Sequence, residues 1–413
     1  MSAEKLPKLL RYSEYAFAGN FVAFSFVIFS SSLPTGFVST FSGLAVIFAL
    51  PIFFYRLPTG YLNHFEIFGM ALFAWLTVSI LWSRTLLWQS IVALSEYRIF
   101  LIVPIFISVL AFNKKIQYWA FRAAIFGALF AVIASYGLGL GWWSLSDSRV
   151  SLGDRIYHGF VMSCLILTCL VIAREYRHLT RGVAIIVALA AVYNVTAVEV
   201  GRTGYLQAAV VILILCSLSF SFLRNIVVCI ACLVISLSLY IGSERFSNRV
   251  NETVANIEQV QANGGLDTSV GKRLAYYRGA VGIGIDYPWS GVGVGDAEEE
   301  LAVRAQDGRI ELLTDNVHSE FLNMLIIGGL PAVLLFCGFI VAMVYQGLQV
   351  RGRCRLIGDF IIGLSGLVVA SALFNSTIKD FGEKHALIIV LSLVGARLVA
   401  MKPGDSINCQ RNR

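Results

Sequence analysis

The sequence predicts an all-α fold: a polytopic integral membrane protein with about twelve transmembrane helices. Three observations carry the prediction. Of 413 residues, 57% are hydrophobic and 14% charged, with a mean hydropathy of +0.76, where soluble domains carry about 25% charged residues. Apolar runs of about 20 residues recur, the length that crosses a ~30 Å hydrocarbon core at 1.5 Å per residue. The connections between them are short except one, a polar stretch of about 75 residues from Ser243 to Val317.

Twelve runs qualify as spans, near 14–32, 36–55, 66–83, 89–112, 117–140, 157–174, 182–200, 204–222, 225–242, 318–346, 356–377 and 384–401. The first follows Lys5, Lys8 and Arg11 and lacks a small-residue cleavage site, so it is expected to remain as an anchor. Alternating the short connections between two sides places seventeen lysines and arginines on one side and six on the other. The positive-inside rule then puts both termini in the cytoplasm and the 243–317 loop outside. Topology thus accounts for most of the net charge of +7, which does not call for nucleic acid. The chain reads as a single membrane domain, 1–413, with 243–317 as a loop between the ninth and tenth spans. No cysteine falls in that loop, so no disulfide framework is expected there, and the Cys229–Cys232 pair, inside an apolar run, reads as packing.

Within the loop, Phe246, Val250, Val254, Ile257 and Val260 recur at helical spacing and predict an amphipathic helix ended by Gly264 and Gly265. A second helix is expected from about Lys272 to a stop before Pro288. Gly291–Gly295 predicts a turn, and a short acidic helix follows from Asp296, with Glu298–Glu300 suited to its N-terminal dipole. The glycines are no nucleotide fingerprint, since no strand precedes them.

Four residues are candidates for chemistry. Arg202 stands on a tight hairpin between two apolar runs; it reads either as a flanking charge paired with Glu199 or as an anion clamp. Arg273 and Arg278 lie in the second loop helix, five residues apart, so Arg278 turns partly off the face that carries Arg273 and Tyr277. His318 opens the tenth span, and reads either as an ordinary helix-end histidine or as a base that is mostly neutral at pH 7. Glu96 and Arg98 lie inside the fourth span, at i, i+2, and need separate partners or a cavity. His158 and His385 sit at the outer mouths of their spans. No D-x-D and no His/Cys spacing points to a metal.

Three stretches together resemble the O-antigen ligase family, which groups with O-antigen polymerases and some protein O-oligosaccharyltransferases. They are GRTG around Arg202, GKRLAYYRGAVGIGIDYPWSGVGVG, and HSEFLNMLIIGGLPA from His318. Gly201, Ser319 and Ala332 depart from the family pattern, and Ser319 stands where a residue could help place a sugar. The resemblance implies an inverting, metal-independent glycosyltransferase of the GT-C type, needing no cofactor. It would act in the inner membrane with its site in the periplasm. The donor would be an O-antigen glycan on undecaprenyl diphosphate and the acceptor a sugar hydroxyl of lipid A–core. On this reading Arg202 and Arg273, with Arg278 as a further candidate, bind the diphosphate, and His318 is the general base. The loop becomes a lid over a cavity at the outer face. An O-antigen polymerase is the alternative within the resemblance; a transporter is the alternative outside it, but no internal repeat of the transporter kind is visible.

Overall fold

The computed structural model describes residues 7–30, 35–56, 62–142, 153–199, 201–219, 222–263, 268–306, 314 and 316–401. Among the described residues the chain is helical, without strands. Sixteen helices follow in order: α1 Lys8–Ser30, α2 Thr35–Arg56, α3 His64–Val78, α4 Leu87–Ser95, α5 Ile99–Leu110, α6 Lys114–Gly139, α7 Arg155–Glu175, α8 His178–Tyr193, α9 Arg202–Ser219 and α10 Phe222–Gly242; then α11 Glu244–Asn263, α12 Ser269–Asp286, α13 Ala297–Gln306, α14 Glu320–Arg351, α15 Arg355–Phe374 and α16 Phe381–Ala400. A 3₁₀ turn continues α3 to Trp82, and a π turn, Asn194–Val198, continues α8.

Among the described residues, eight helices are long and apolar enough to cross a membrane: α2, α3 with its 3₁₀ turn, α6, α7, α8 with its π turn, α9, α14 and α15. Helices α4 and α5 make a ninth if taken as one crossing, bent by 52°. The other three expected spans correspond to α1, α10 and α16. Charge weighs against α16, which carries Glu383, Lys384 and Arg397, while in α1 polar residues such as Glu14 and Asn20 lower the hydropathy. The apolar outer faces fit a lipid environment: Ile133, Ile186 and Leu189 are large hydrophobic side chains left exposed.

Packing places α16 near the centre, against α5, α1 and α7. Around it, α1 packs on α2 and α6, while α14 packs on α15 and α3, and α7 on α8, α9 and α15. The expected fourth span is broken at Glu96–Arg98, between α4 and α5. The break has a cause: Lys384 Nζ donates to the Glu96 carbonyl at 3.0 Å, and Arg98 Nη2 donates to His385 Nε2 at 3.4 Å. The start of α16 therefore takes both a backbone carbonyl and a charged side chain from the interrupted helix.

In the 243–317 segment, α11 begins at Glu244, two residues ahead of the first apolar position at Phe246, and Gly264 and Gly265 lie outside the described residues. The second helix starts three residues earlier than expected, at Ser269, because the Thr268 hydroxyl caps it by accepting from the Gly271 N–H at 3.0 Å. Arg273 consequently lies in its second turn rather than its first. Helix α13 begins at Ala297 with Glu298–Glu300 in its first turn, as its dipole favours.

Candidate active site

The site is assembled by a loop that inserts into a break in α14. Gly329 has φ 65° and ψ −164°, backbone that only glycine adopts readily. The unwound turn accepts the 288–293 loop. Val292 N–H donates to the Ile326 carbonyl at 2.8 Å, Gly293 N–H to Ile327 at 3.2 Å, and Leu330 N–H returns to Pro288 at 2.7 Å. A Cβ on Gly329 would lie 2.7 Å from the Pro288 oxygen. The two glycine-rich stretches of the sequence are thus each other's partners. On the far side of the loop, the Asp296 carboxylate accepts the Arg84 and Thr85 N–H groups at 2.6 and 2.9 Å. Arg304, buried, bridges Asp286 at 2.6 Å and Glu300 at 2.7 Å, and so fastens α13 to the end of α12.

So anchored, α12 packs along α14 and presents Tyr276 and Tyr277 to His318. The Tyr277 hydroxyl donates to the His318 carbonyl at 3.2 Å and to the Leu373 carbonyl at 3.3 Å. Burial pushes this phenol above its ordinary value, so it keeps the proton it donates. The Tyr276 ring lies 6.5 Å from the imidazole, centroid to centroid. His318 itself has φ 52°, one of two non-glycine residues with positive φ among the described residues. Its N–H donates to Asn316 Oδ1 at 2.9 Å. Such backbone strain is concentrated at functional positions. Ser319, which follows, is buried and donates to the Ala372 carbonyl at 3.4 Å, so its hydroxyl faces α15.

Arg273 stands one turn before Tyr277 on α12, about 6 Å by helix rise. It is half-buried, and no described carboxylate pairs with it. Its charge, with that of Arg249 on α11, acts on Arg202 at the start of α9. Arg202 Nη2 lies 3.2 Å from Glu252 Oε1, and the other Glu252 oxygen takes Arg249 at 2.5 Å. Two guanidiniums therefore share one carboxylate while the charge of a third, Arg273, acts on Arg202, an excess of positive charge suited to an incoming anion. The alternative pairing of Arg202 with Glu199 is not adopted, because Glu199 bridges to Arg155 at 3.2 Å.

The structure thus brings Arg202, Arg273 and His318 to one region, linked by α12. Arg278 is exposed one residue past Tyr277, and its charge is not among those acting on Arg202. Glu96 and Arg98 take separate partners, as their spacing demands: Lys379 lies 3.7 Å from Glu96, and Arg98 meets His385. His385 is buried and donates from Nδ1 to the Phe381 carbonyl at 2.6 Å. His158 is buried and donates to Asn194 Oδ1 at 2.8 Å. Sequence reasoning missed Arg249 and Glu252. Their i, i+3 spacing on the polar face of α11 was the available signal, overshadowed by the apolar stripe opposite.

Fold and site together define a multi-pass helical membrane protein with a cationic, histidine-bearing site at one end of its bundle. Residues 163–337, which contain all four candidate residues, match the family model described as O-antigen ligase, and over that stretch the chain is similar to that family. No curated protein matches the chain.

Proposed function

We propose that the protein is an O-antigen ligase: an inverting, metal-independent GT-C-type glycosyltransferase of the inner membrane. It moves a glycan from undecaprenyl diphosphate to a sugar hydroxyl of lipid A–core, at a periplasmic site under the 243–317 lid. One observation carries this reading. The charge of Arg273, which pairs with no described acid, acts on Arg202, which shares Glu252 with Arg249, while the same helix holds His318 through Tyr277.

In the reaction, the acceptor hydroxyl oxygen attacks the anomeric carbon of the donor glycan, and the bond from that carbon to the diphosphate oxygen breaks. His318 takes the hydroxyl proton as the new glycosidic bond forms, and later releases it to water. Arg202 and Arg273 receive the charge that develops on the leaving undecaprenyl diphosphate. Attack opposite the leaving group inverts the anomeric centre. Arg278 is a reserve contact for the same anion, exposed at the rim of the lid.

Deletion of the gene tests the reading. A ligase mutant accumulates carrier-linked polymer and bare core; a core bearing one repeat unit instead identifies a polymerase. In the purified protein, His318→Ala is expected to fold and insert normally and to lose transfer by at least ~100-fold. Transfer at the wild-type rate by that variant removes the general-base role.

A further inference from the structure

A polar space joined to the histidine by hydrogen bonds plays no part in the scheme above. It is a cavity of about 360 Å³ between α1, α2, the first turn of α7 and the start of α16. That volume falls within the ~300–1,000 Å³ of small-molecule sites. One wall is apolar, with Val27 and Val38. The rest of the lining carries Asp154, Asn375, Asp380 and Glu383, and no lysine or arginine is among the described residues that line the space. A carboxylate-bearing wall favours a ligand that donates hydrogen bonds over an anion such as a diphosphate.

The acidic wall is not merely a cluster of carboxylates. Asn375 is 1% exposed, and its carboxamide oxygen accepts no hydrogen bond. Its amide group donates to Glu383 Oε2 at 2.5 Å, which fixes the direction of the unpartnered oxygen, while Ser371 donates to Glu383 Oε1 at 3.1 Å. Asp154 spends one oxygen capping α7, on the Ile156 N–H at 2.8 Å. A buried acceptor left unmade costs about 1–3 kcal/mol, so a ligand that brings O–H donors is the natural occupant. Tyr157 and Phe381 add ring faces of the kind that sugar C–H groups pack on.

The cavity also borders the catalytic loop. Asn316 donates to Asp380 Oδ1 at 3.4 Å, and the oxygen of the same carboxamide receives the His318 N–H. His318 is thus linked to the arginines through α12 and to this cavity through Asn316 and Asp380. We propose that the cavity is the acceptor subsite: it holds a neutral, hydroxyl-rich sugar of a glycolipid, with Asp154, Asn375 and Asp380 accepting from its hydroxyls and the Val27–Val38 wall covering its apolar side. The inference rests on the transferase reading and names the side from which the second substrate enters.

The test uses the full chain in lipid nanodiscs, with undecaprenyl-diphosphate-linked glycan as donor and core lipopolysaccharide from the deletion strain as acceptor. Asp154→Asn keeps the α7 cap but loses the charge, and Val38→Trp fills the cavity from its apolar wall. Both are expected to raise the acceptor KM about tenfold or more, with the donor KM within about twofold of wild type. Arg202→Ala shows the opposite split. If wild-type protein transfers no glycan, the transferase reading fails. If it transfers, and both variants keep the wild-type acceptor KM, the acceptor subsite alone is wrong. Sodium or magnesium dependence that Asp154→Asn abolishes overturns it in favour of a cation site.

Discussion

Arg273 offers the sharpest perturbation, because its two roles predict opposite outcomes. If it is structural, removing it costs stability; if it awaits an anion, removing it costs only transfer. The side chain is half-buried on α12 and is not engaged by any described carboxylate. Its charge repels that of Arg202. Arg273→Ala therefore strands no buried acid and relieves a like-charge contact, so the unfolding temperature is expected to stay or rise. A guanidinium on phosphate oxygens makes charge-assisted hydrogen bonds worth about 1.5–3 kcal/mol each. Losing about 3 kcal/mol in the transition state lowers kcat/KM for the donor about 100-fold, at roughly 1.4 kcal/mol per tenfold. Arg273→Lys keeps the charge but loses the planar fork, and is expected to recover about half of that on a logarithmic scale. The assay is transfer by purified protein over a range of donor concentrations, beside thermal unfolding. An Arg273→Ala protein that unfolds several degrees earlier, yet keeps kcat/KM within about threefold, refutes the reasoning.

Three further outcomes are expected. At φ 52°, His318→Gly is expected to be more stable than His318→Ala by about 1 kcal/mol, while neither transfers; equal unfolding temperatures would show that the left-handed backbone carries no strain. Burial pushes the Asp380 carboxyl from 3.8 up to about 6, with Asp154 adding to the rise and Lys379 and Lys384 opposing it. The folded state thus disfavours the ionised form. Its stability is greatest below pH ~4, falls by on the order of 3 kcal/mol as pH rises to ~6, and is level above that. Unfolding temperatures across pH 4–7 for Asp380→Asn, which should lack this fall, check the sign. Gly329→Ala forces a side chain against the Pro288 oxygen at left-handed φ and is expected to cost about 3 kcal/mol or more, read as lost yield and early unfolding; wild-type stability in that variant would show that the loop is not seated in the helix break.

Helices were legible where local pattern decides them. The stripe Phe246–Val260 located α11, and Pro288 with the following glycines located the end of α12, because period and backbone restriction act over a few residues. The start of α12 was misplaced by three residues, since a single hydroxyl at Thr268 decides it. The break at Glu96–Arg98 was not legible either. It depends on Lys384 and His385, nearly 300 residues away, reaching an otherwise continuous apolar run. The same holds for the site. Arg202, Arg273 and His318 could be named from their stretches, but the partner of Arg202 is Glu252, on another helix, rather than the nearer Glu199. Among the described residues eight helices, rather than the twelve expected, are long and apolar enough to cross a membrane on their own; α16 falls short because it carries Glu383, Lys384 and Arg397, the first two of them buried among neighbouring helices, and the fourth expected span falls short because it is bent.

The position of His318 follows from this division between local and distant causes. A histidine in the first turn of α14 would be held by helix geometry alone. This one stands two residues before that helix, in strained backbone, and is held from three directions: Tyr277 on α12, Asn316 in its own loop, and, through Asn316, Asp380 ahead of α16. Each of those holders belongs to a different part of the molecule, and α12 depends in turn on the 288–293 loop seated at Gly329. A displacement of the 243–317 segment would move Arg273 and release the histidine carbonyl together, since one helix carries both. The proposed diphosphate clamp and general base are therefore mechanically coupled. Loosening the loop far from either, as Gly329→Ala does, should therefore cost transfer as well as stability.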